Sequence, residues 1–475
     1  MHDDTEPRML SCDVAIIGAG TAGMAALRKL KDTGLQVLMI DPEFRGTTCA
    51  NTGCMPSKLI IAAAEAAHMA RSATVFGVEA EPRIDGAAVM ARVRKLRDEF
   101  ASGTQNTLMD MTDGIRLQSR ARFIGPNQLQ LDDGRQVTAQ RIIIATGSDP
   151  MLPGPYQALS DLCLTNETVF EIPDLPRSLA VIGAGPIGVE LAQSFARLGV
   201  DVALFDTGST VAGLSDRAVS DALADALRLE FPVHLDVTPE PRRAGDQVEL
   251  SWGTDPSKRF DRVLVATGRP PNLDGLDLET TGLQLDDHGT PVFDPETLQC
   301  GDAPIFLAGD ANAARPLLHE ASSEGAIAGA NAASWPDLGD ATRMEPLAIT
   351  FTRPNAATIG QVPQPGCATT VTGSADYTDQ GRAKVEARAH GLLRIYADRH
   401  KGRILGASLA APDGEHLAHL LAWAISAGMT ASQMLDLPFY HPTVEEGLKS
   451  ALRDICKATA SPVTWSRDNG QPSGA

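Results

Sequence analysis

The sequence predicts an α/β fold in which one strand-helix-strand plan is used twice and a smaller α+β domain follows, and three observations carry that prediction. An apolar run, Val14-Ala15-Ile16-Ile17, leads into Gly18-Ala19-Gly20-Thr21-Ala22-Gly23, a helical stretch to Lys31, and a second apolar run ending at Asp41. The same order returns at Leu179-Ala180-Val181-Ile182, Gly183-Ala184-Gly185-Pro186-Ile187-Gly188, a helical stretch to Leu198, and a run ending at Asp206. In both, the acid lies 23 residues beyond the first glycine (18 to 41, 183 to 206). Each plan is followed by an apolar strand closing on Ala-Thr-Gly, Ile142 to Gly147 and Val263 to Gly268, so whole domains repeat and not loops alone.

A lone G-x-G-x-x-G is weak evidence, but a strand before it, a helix after it and an acid about 20 residues on make each plan a Rossmann-like dinucleotide-binding unit. Gly18, Gly20 and Gly23, and likewise Gly183, Gly185 and Gly188, let backbone amides approach a pyrophosphate at a helix N-terminus, while Asp41 and Asp206 accept from a ribose diol. Two units mean two dinucleotides. Acidic Asp206, with Arg217 the next basic residue, suits NAD over NADP.

The expected domains are 1–150 for the first unit, 151–274 for the second, and 275–345 for a return to the first with the run Ile305-Phe306-Leu307-Ala308-Gly309-Asp310. Residues 346–457 carry alternating apolar runs such as Leu347 to Phe351 and Leu392 to Tyr396, which predict an antiparallel sheet with helices. Residues 458–475, rich in Ser, Pro, Gly and polar residues, are expected to be a disordered tail.

Composition narrows the function. The formal charge of −19 repels phosphate backbones, so nucleic acid is not an expected partner. Hydrophobic residues are 43% of the 475, with no apolar run near the 18 or so residues a membrane span needs, and the acidic start Met1-His2-Asp3-Asp4 lacks the marks of a signal peptide. A cytoplasmic protein without a membrane partner is expected. Of seven cysteines, Cys12, Cys163, Cys300, Cys367 and Cys456 stand alone, and each is expected to be a buried, inert thiol.

The other two stand in Cys49-Ala50-Asn51-Thr52-Gly53-Cys54-Met55-Pro56-Ser57-Lys58. A structural disulfide closing so short a loop would remove little chain entropy, roughly 2 kcal/mol, so stability is a weak motive for the pair and redox chemistry a better one. An apparent helix beginning at the pair favours thiolate, the form that attacks a disulfide sulfur.

Together these features resemble the flavoprotein disulfide reductases, the pyridine-nucleotide group that includes dihydrolipoyl dehydrogenase, glutathione reductase and mercuric reductase. The likeness spans about residues 11–457 and rests on both glycine fingerprints, Gly46 to Lys58, both Ala-Thr-Gly strands, Gly309-Asp310, and His441-Pro442-Thr443-Val444-Glu445-Glu446. It implies FAD on the first fingerprint and NAD on the second, and a homodimer formed through the C-terminal domain, with His441 serving the partner subunit. It assigns Cys54 as the thiolate beside the flavin and Cys49 as the thiol that exchanges with substrate. Lys58 would sit near the flavin, paired with Glu190, and His441 would be the acid-base residue oriented by Glu446. Thr443 to Glu446 is also a capping box, so Glu446 has a structural role available as well. Asp310 would hold the ribityl chain, and Thr48, Lys58, Ala121, Thr146, Gly147, Gly309, His319 and Gly268 complete the implied cofactor contacts.

Departures from the family pattern are Thr47 where a second glycine is common, Phe439 where many relatives carry another histidine, and Pro186 where some carry an aromatic gate. Arg28 matches a substrate-binding arginine of glutathione reductases, yet Ala321 to Ala333 contains no arginine to complete the clamp, and Cys456 lacks the second cysteine that mercuric reductases use for metal delivery. A dihydrolipoyl dehydrogenase acting on dihydrolipoamide, another dithiol or a lipoylated carrier protein is therefore expected. The alternatives are a reductase of another small disulfide and a flavin NADH oxidase or diaphorase.

Overall fold

A computed structural model describes residues 8–461 apart from 254–256, 340 and 342. The expected tail lies outside the described residues from 462 onward, and residues 458 and 459 close a helix, Gly447–Thr459. The chain forms two compact units. Among the described residues, one gathers those of 8–56, 92–151 and 268–343, and the other those of 57–91, 152–267 and 344–461.

In the first unit the strand Met9–Ile17 lies parallel between Val37–Asp41 and Gln136–Ile144. Val14, Ala15 and Ile16 are all buried, as a strand covered on both faces requires. The strand Gln136–Ile144 has two neighbours on its far side. Its early residues pair antiparallel with Gln128–Leu131, and its last ones take Ile305–Leu307 in parallel. That late strand brings Gly309 and Asp310 beside Ala145-Thr146-Gly147, with Ala308 N donating to Ile144 O at 3.0 Å. The first fingerprint helix, Thr21–Leu30, packs on Leu318–Ser334. Gly325 and Gly329 make the approach possible, since a Cβ on the first would strike the Ala22 carbonyl and one on the second would lie 2.6 Å from Ala26 O.

The second unit holds a parallel sheet in the order Val233–His234, Asp201–Phe205, Ser178–Ile182, Arg262–Val265, Cys163–Leu164. It also holds an antiparallel sheet in the order Leu347–Thr350, Asn355–Gly360, Ile404–Ala411, Leu392–Asp398, Thr370–Asp376. Helices Gly414–Ser426 and Gly447–Thr459 back the antiparallel sheet around a core that includes Tyr377, Ile395, Leu409, Leu421 and Leu452.

One helical stretch, Thr48–Phe76, is long and apolar enough by length and composition to cross a membrane, against the expectation that no run comes near that length. Its charged residues have partners inside the second unit: Lys58 with Glu190, Glu65 with Arg197, and Arg71 with the Arg197 carbonyl. Those contacts make it an element of the folded domain.

Candidate active site

Both glycine fingerprints adopt one geometry. Gly18 and Gly183 have φ of +105° and +107°, and a Cβ on either would collide with the carbonyl of the Ala-Thr-Gly strand beneath, at Ala145 and Ala266. Gly23 and Gly188 press against the carbonyls of Gly18 and Gly183. Gly20 and Gly185 face open space, and an open middle glycine is where a pyrophosphate approaches the helix N-terminus. Pro186 fits as the first helical residue, where its missing N–H costs nothing. Asp41 Oδ2 accepts from Ala19 N at 2.9 Å while Oδ1 accepts from Glu43 N and Phe44 N at 2.9 and 2.7 Å. Asp206 likewise takes Ala184 N, and Gly208 N at 2.6 Å. Each acid therefore pins its own fingerprint loop, and its remaining lone pairs can take a ribose diol.

Around the first fingerprint, Thr146 Oγ1 and His319 Nε2 are buried without a hydrogen-bond partner. Buried polar atoms are ordinarily satisfied, so two orphans near an open glycine fit a polar ligand such as FAD. Gly147 and Gly309 have φ of +75° and +73°, and Gly268 of +150°, conformations that a side chain would strain. Asp310 Oδ2 accepts from Ser148 Oγ at 3.0 Å. Ala121 is a buried strand residue paired with Leu131.

The cysteines occupy two consecutive helices. Thr47 caps the short helix Thr48–Asn51, its side chain accepting from Ala50 N at 3.3 Å, which gives this departure from glycine a structural use. Thr48 is exposed, Cys49 half-buried and Cys54 exposed at the start of Cys54–Ser72. Gly53 joins the helices where a Cβ would lie 3.1 Å from Cys49 Cα. One turn beyond Cys54, Lys58 Nζ meets both carboxylate oxygens of Glu190, at 3.0 and 2.9 Å. Glu190 is 7% exposed on the second fingerprint helix, Pro186–Arg197. Its Oε1 also accepts from Phe351 N at 2.8 Å, and the Phe351 ring centroid lies 4.2 Å from Lys58 Nζ. The ammonium is thus held by a paired carboxylate and an aromatic face.

His441 projects outward, its side chain 63% exposed, while Glu446 beneath it is buried. Glu446 Oε2 lies 3.0 Å from His441 Nδ1 and 3.3 Å from Thr443 N, and Oε1 lies 3.5 Å from the buried Lys449 ammonium. A carboxylate only accepts, so Nδ1 carries the proton and Nε2 faces solvent. The surrounding loop is fixed by Tyr377, whose hydroxyl donates to Val444 O at 3.2 Å, and by Gln380, which donates to Thr443 O at 2.7 Å. Gly447 admits the Tyr377 ring, whose hydroxyl would lie 2.7 Å from a Cβ there. Phe439 packs on the domain core near Lys449, its ring centroid 5.7 Å from the ammonium.

The chain thus presents two fingerprint loops with open middle glycines, two cysteines on consecutive helices, an ammonium paired with Glu190 and an imidazole bonded to Glu446. Residues 12–325 match the pyridine nucleotide-disulphide oxidoreductase family, and 347–452 match its dimerisation domain. The chain belongs to this family. The fold expected from sequence, two Rossmann-like domains and an α+β dimerisation domain, is the fold found. Pyridine nucleotide-disulphide oxidoreductases work with FAD and NAD(P). The chain is 30% identical over 457 residues to a dihydrolipoyl dehydrogenase of Haloferax volcanii, covering 92% of this chain and 95% of that one. It is 32% identical over 457 residues to a mercuric reductase of Acidithiobacillus ferrooxidans, covering 94% and 82%. A solved structure of the HOCl-induced flavoprotein disulfide reductase RclA from Escherichia coli matches with a TM-score of 0.78 at 23% identity, covering 93% and 99%.

Several residues of this oxidoreductase went unread in its sequence. Phe351 carries no local signal, because its partners lie far away along the chain. Glu324, fully buried, accepts from Gly309 N at 2.8 Å and Asn312 Nδ2 at 2.7 Å, and pairs with Arg343. Its signal was a glutamate in a helix otherwise rich in alanine and glycine. Ser148 and Arg269 each follow an Ala-Thr-Gly directly, a repeat that marks them in retrospect.

The isolated cysteines divide. Burial pushes Cys12 and Cys300 up to about 12 and Cys163 to about 11, and Cys456 is buried. Cys367 departs from the expected buried thiol: hydrogen bonds from Thr369, and then Thr370, bring it down to about 7. With Cys49 and Cys54 replaced by serine, iodoacetamide at about pH 7.5 is expected to label Cys367 well before Cys12 or Cys300. A lowered thiol pKa leaves thiolate above its value and thiol below, so labelling at about pH 5.5 falls more than tenfold. Peptide mass spectrometry of the alkylated protein reads both results.

Proposed function

We propose that this chain is an FAD- and NAD-dependent dithiol oxidoreductase that acts as a homodimer, with dihydrolipoamide or a lipoylated carrier protein as substrate. The observation that carries this reading is the coexistence of the Cys49/Cys54 pair with an imidazole whose Nε2 is turned to solvent by a buried carboxylate. A flavin NADH oxidase, a diaphorase or a purely structural subunit has no need of both.

Bound FAD accepts and donates electron pairs between the nicotinamide and the cysteine pair. In the oxidising direction, Cys49 and Cys54 start as a disulfide. A substrate thiolate attacks Cys49 Sγ, the Cys49–Cys54 bond breaks, and Cys54 leaves as thiolate. His441 Nε2 takes the proton of the first substrate thiol; the second substrate thiol then attacks the substrate sulfur bonded to Cys49, that bond breaks, and Cys49 leaves with the second proton, giving the cyclic disulfide, a Cys49 thiol and a Cys54 thiolate. Lys58, held by Glu190 and Phe351, supplies fixed positive charge where electron density develops. In the family pattern His441 serves the cysteines of the other subunit, so the dimer is the active form. Trp423 at 66% exposure, with Leu420, Leu437 and Tyr440, offers apolar surface on the dimerisation domain for a second copy.

Asp206 and the absence of a close basic residue support NAD over NADP. Similarity does not choose between dihydrolipoyl dehydrogenases and mercuric reductases, since both kinds of relative stand near 30% identity. The lone Cys456 favours the dithiol substrate. Such an enzyme would be soluble and cytoplasmic.

The test is steady-state reduction, on the FAD-loaded dimer, of lipoamide, a lipoylated carrier, glutathione disulfide and Hg(II), with NADH and NADPH in parallel. Turnover of lipoamide or the carrier with NADH is expected. Preference for Hg(II) or glutathione disulfide would replace the substrate assignment.

A further inference from the structure

We propose that Ser148 and Arg269 form a relay that positions Asp310 for FAD, a role that rests on the reading of Asp310 as a ligand of the ribityl chain. Ser148 is 5% exposed and donates through Oγ to Asp310 Oδ2 at 3.0 Å. Arg269 Nε lies 3.2 Å from the same Ser148 Oγ, and Arg269 Nη2 donates to the Ser148 carbonyl. The direction of this chain is forced. A guanidinium only donates and a carboxylate only accepts, so the single serine proton points at Asp310 while its lone pairs face Arg269. The carboxylate is thereby held by one oxygen, and Oδ1 is left for a ligand hydroxyl. Charge assistance at both ends strengthens the two bonds.

The positions of the two residues have a common origin in the duplicated fold. Ser148 is the residue after the first Ala-Thr-Gly and Arg269 the residue after the second. The segments that follow run side by side: Asn272 N donates to Gly147 O at 2.8 Å, Asp149 N to Pro270 O at 3.3 Å, and Met151 N to Gly268 O at 3.3 Å. These are the chain's crossings out of and back into the first unit. Equivalent positions of the two repeats therefore meet and are wired to Asp310. From the other side, Glu324 holds Gly309 N and Asn312, so the turn bearing Asp310 is fixed at both flanks.

The experiment follows the rate at which FAD leaves the holoenzyme, and the visible circular dichroism of the bound flavin, in Ser148→Ala, Arg269→Met, their double variant, Ser148→Thr and Asp310→Asn. Each single relay variant is expected to release FAD about five to twentyfold faster with an altered flavin dichroism. The double variant releases it no faster than the more affected single, because both act through one chain of bonds. Ser148→Thr, which keeps the hydroxyl, stays within about twofold of the parent. Should Arg269→Met fail to fold, Arg269→Lys keeps the charge, loses the fork, and serves in its place. Fast release from Asp310→Asn with ordinary release from both relay variants, or additive effects in the double variant, overturns the relay alone. Ordinary release from Asp310→Asn overturns the assignment of Asp310 and the relay with it.

Discussion

Cys49→Ser is expected to lower disulfide turnover by about a thousandfold or more while FAD stays bound and NADH still reduces it. The size follows from chemistry: serine oxygen neither forms a mixed disulfide nor stores an electron pair in a bond with Cys54, so the route to substrate is removed and not merely slowed. The selectivity follows from geometry. Cys49 sits in a four-residue helix capped by Thr47, whereas the first fingerprint, Thr146, His319 and Asp310 belong to other segments, so the substitution leaves the nucleotide sites unaltered. Stopped-flow reduction by NADH, followed by addition of lipoamide, separates the two half-reactions. Retained lipoamide turnover in this variant would remove the cysteine pair from the mechanism.

The fold was legible because its evidence is periodic. Glycines 23 residues before an acid, twice, and an Ala-Thr-Gly after each, define backbone geometry that only a few residues can supply, and the two φ values near +105° are the physical reason those glycines recur. The cysteine pair stood out because both cysteines lie within one short segment. Contacts made over long separations left no such trace. Lys58 and Glu190 are 132 residues apart and were paired only through family likeness, while Phe351, which completes their arrangement, was unread. Hydropathy alone would have misread Thr48–Phe76, because an apolar side chain scores alike whether a helix meets lipid or a neighbouring element.

His441→Ala is expected to slow the thiol half-reaction by about a hundred to ten thousandfold and to leave flavin reduction by NADH within about twofold. Little fold stability should be lost, since the imidazole is largely exposed and Glu446 keeps Thr443 N and Lys449 as partners. Glu446 behaves differently because it performs two tasks. Glu446→Gln can still occupy the space and hydrogen-bond the loop, but a neutral amide no longer selects the Nδ1–H tautomer, so the thiol step slows with modest loss of stability. Glu446→Ala also strands the buried Lys449 ammonium, a change that typically costs about 3–5 kcal/mol, and the melting temperature should fall clearly. Comparing the three variants by half-reaction kinetics and thermal unfolding separates orientation of the imidazole from support of the loop. Equal slowing of both half-reactions in His441→Ala would remove the acid-base role, and an unchanged melting temperature in Glu446→Ala would remove the structural one.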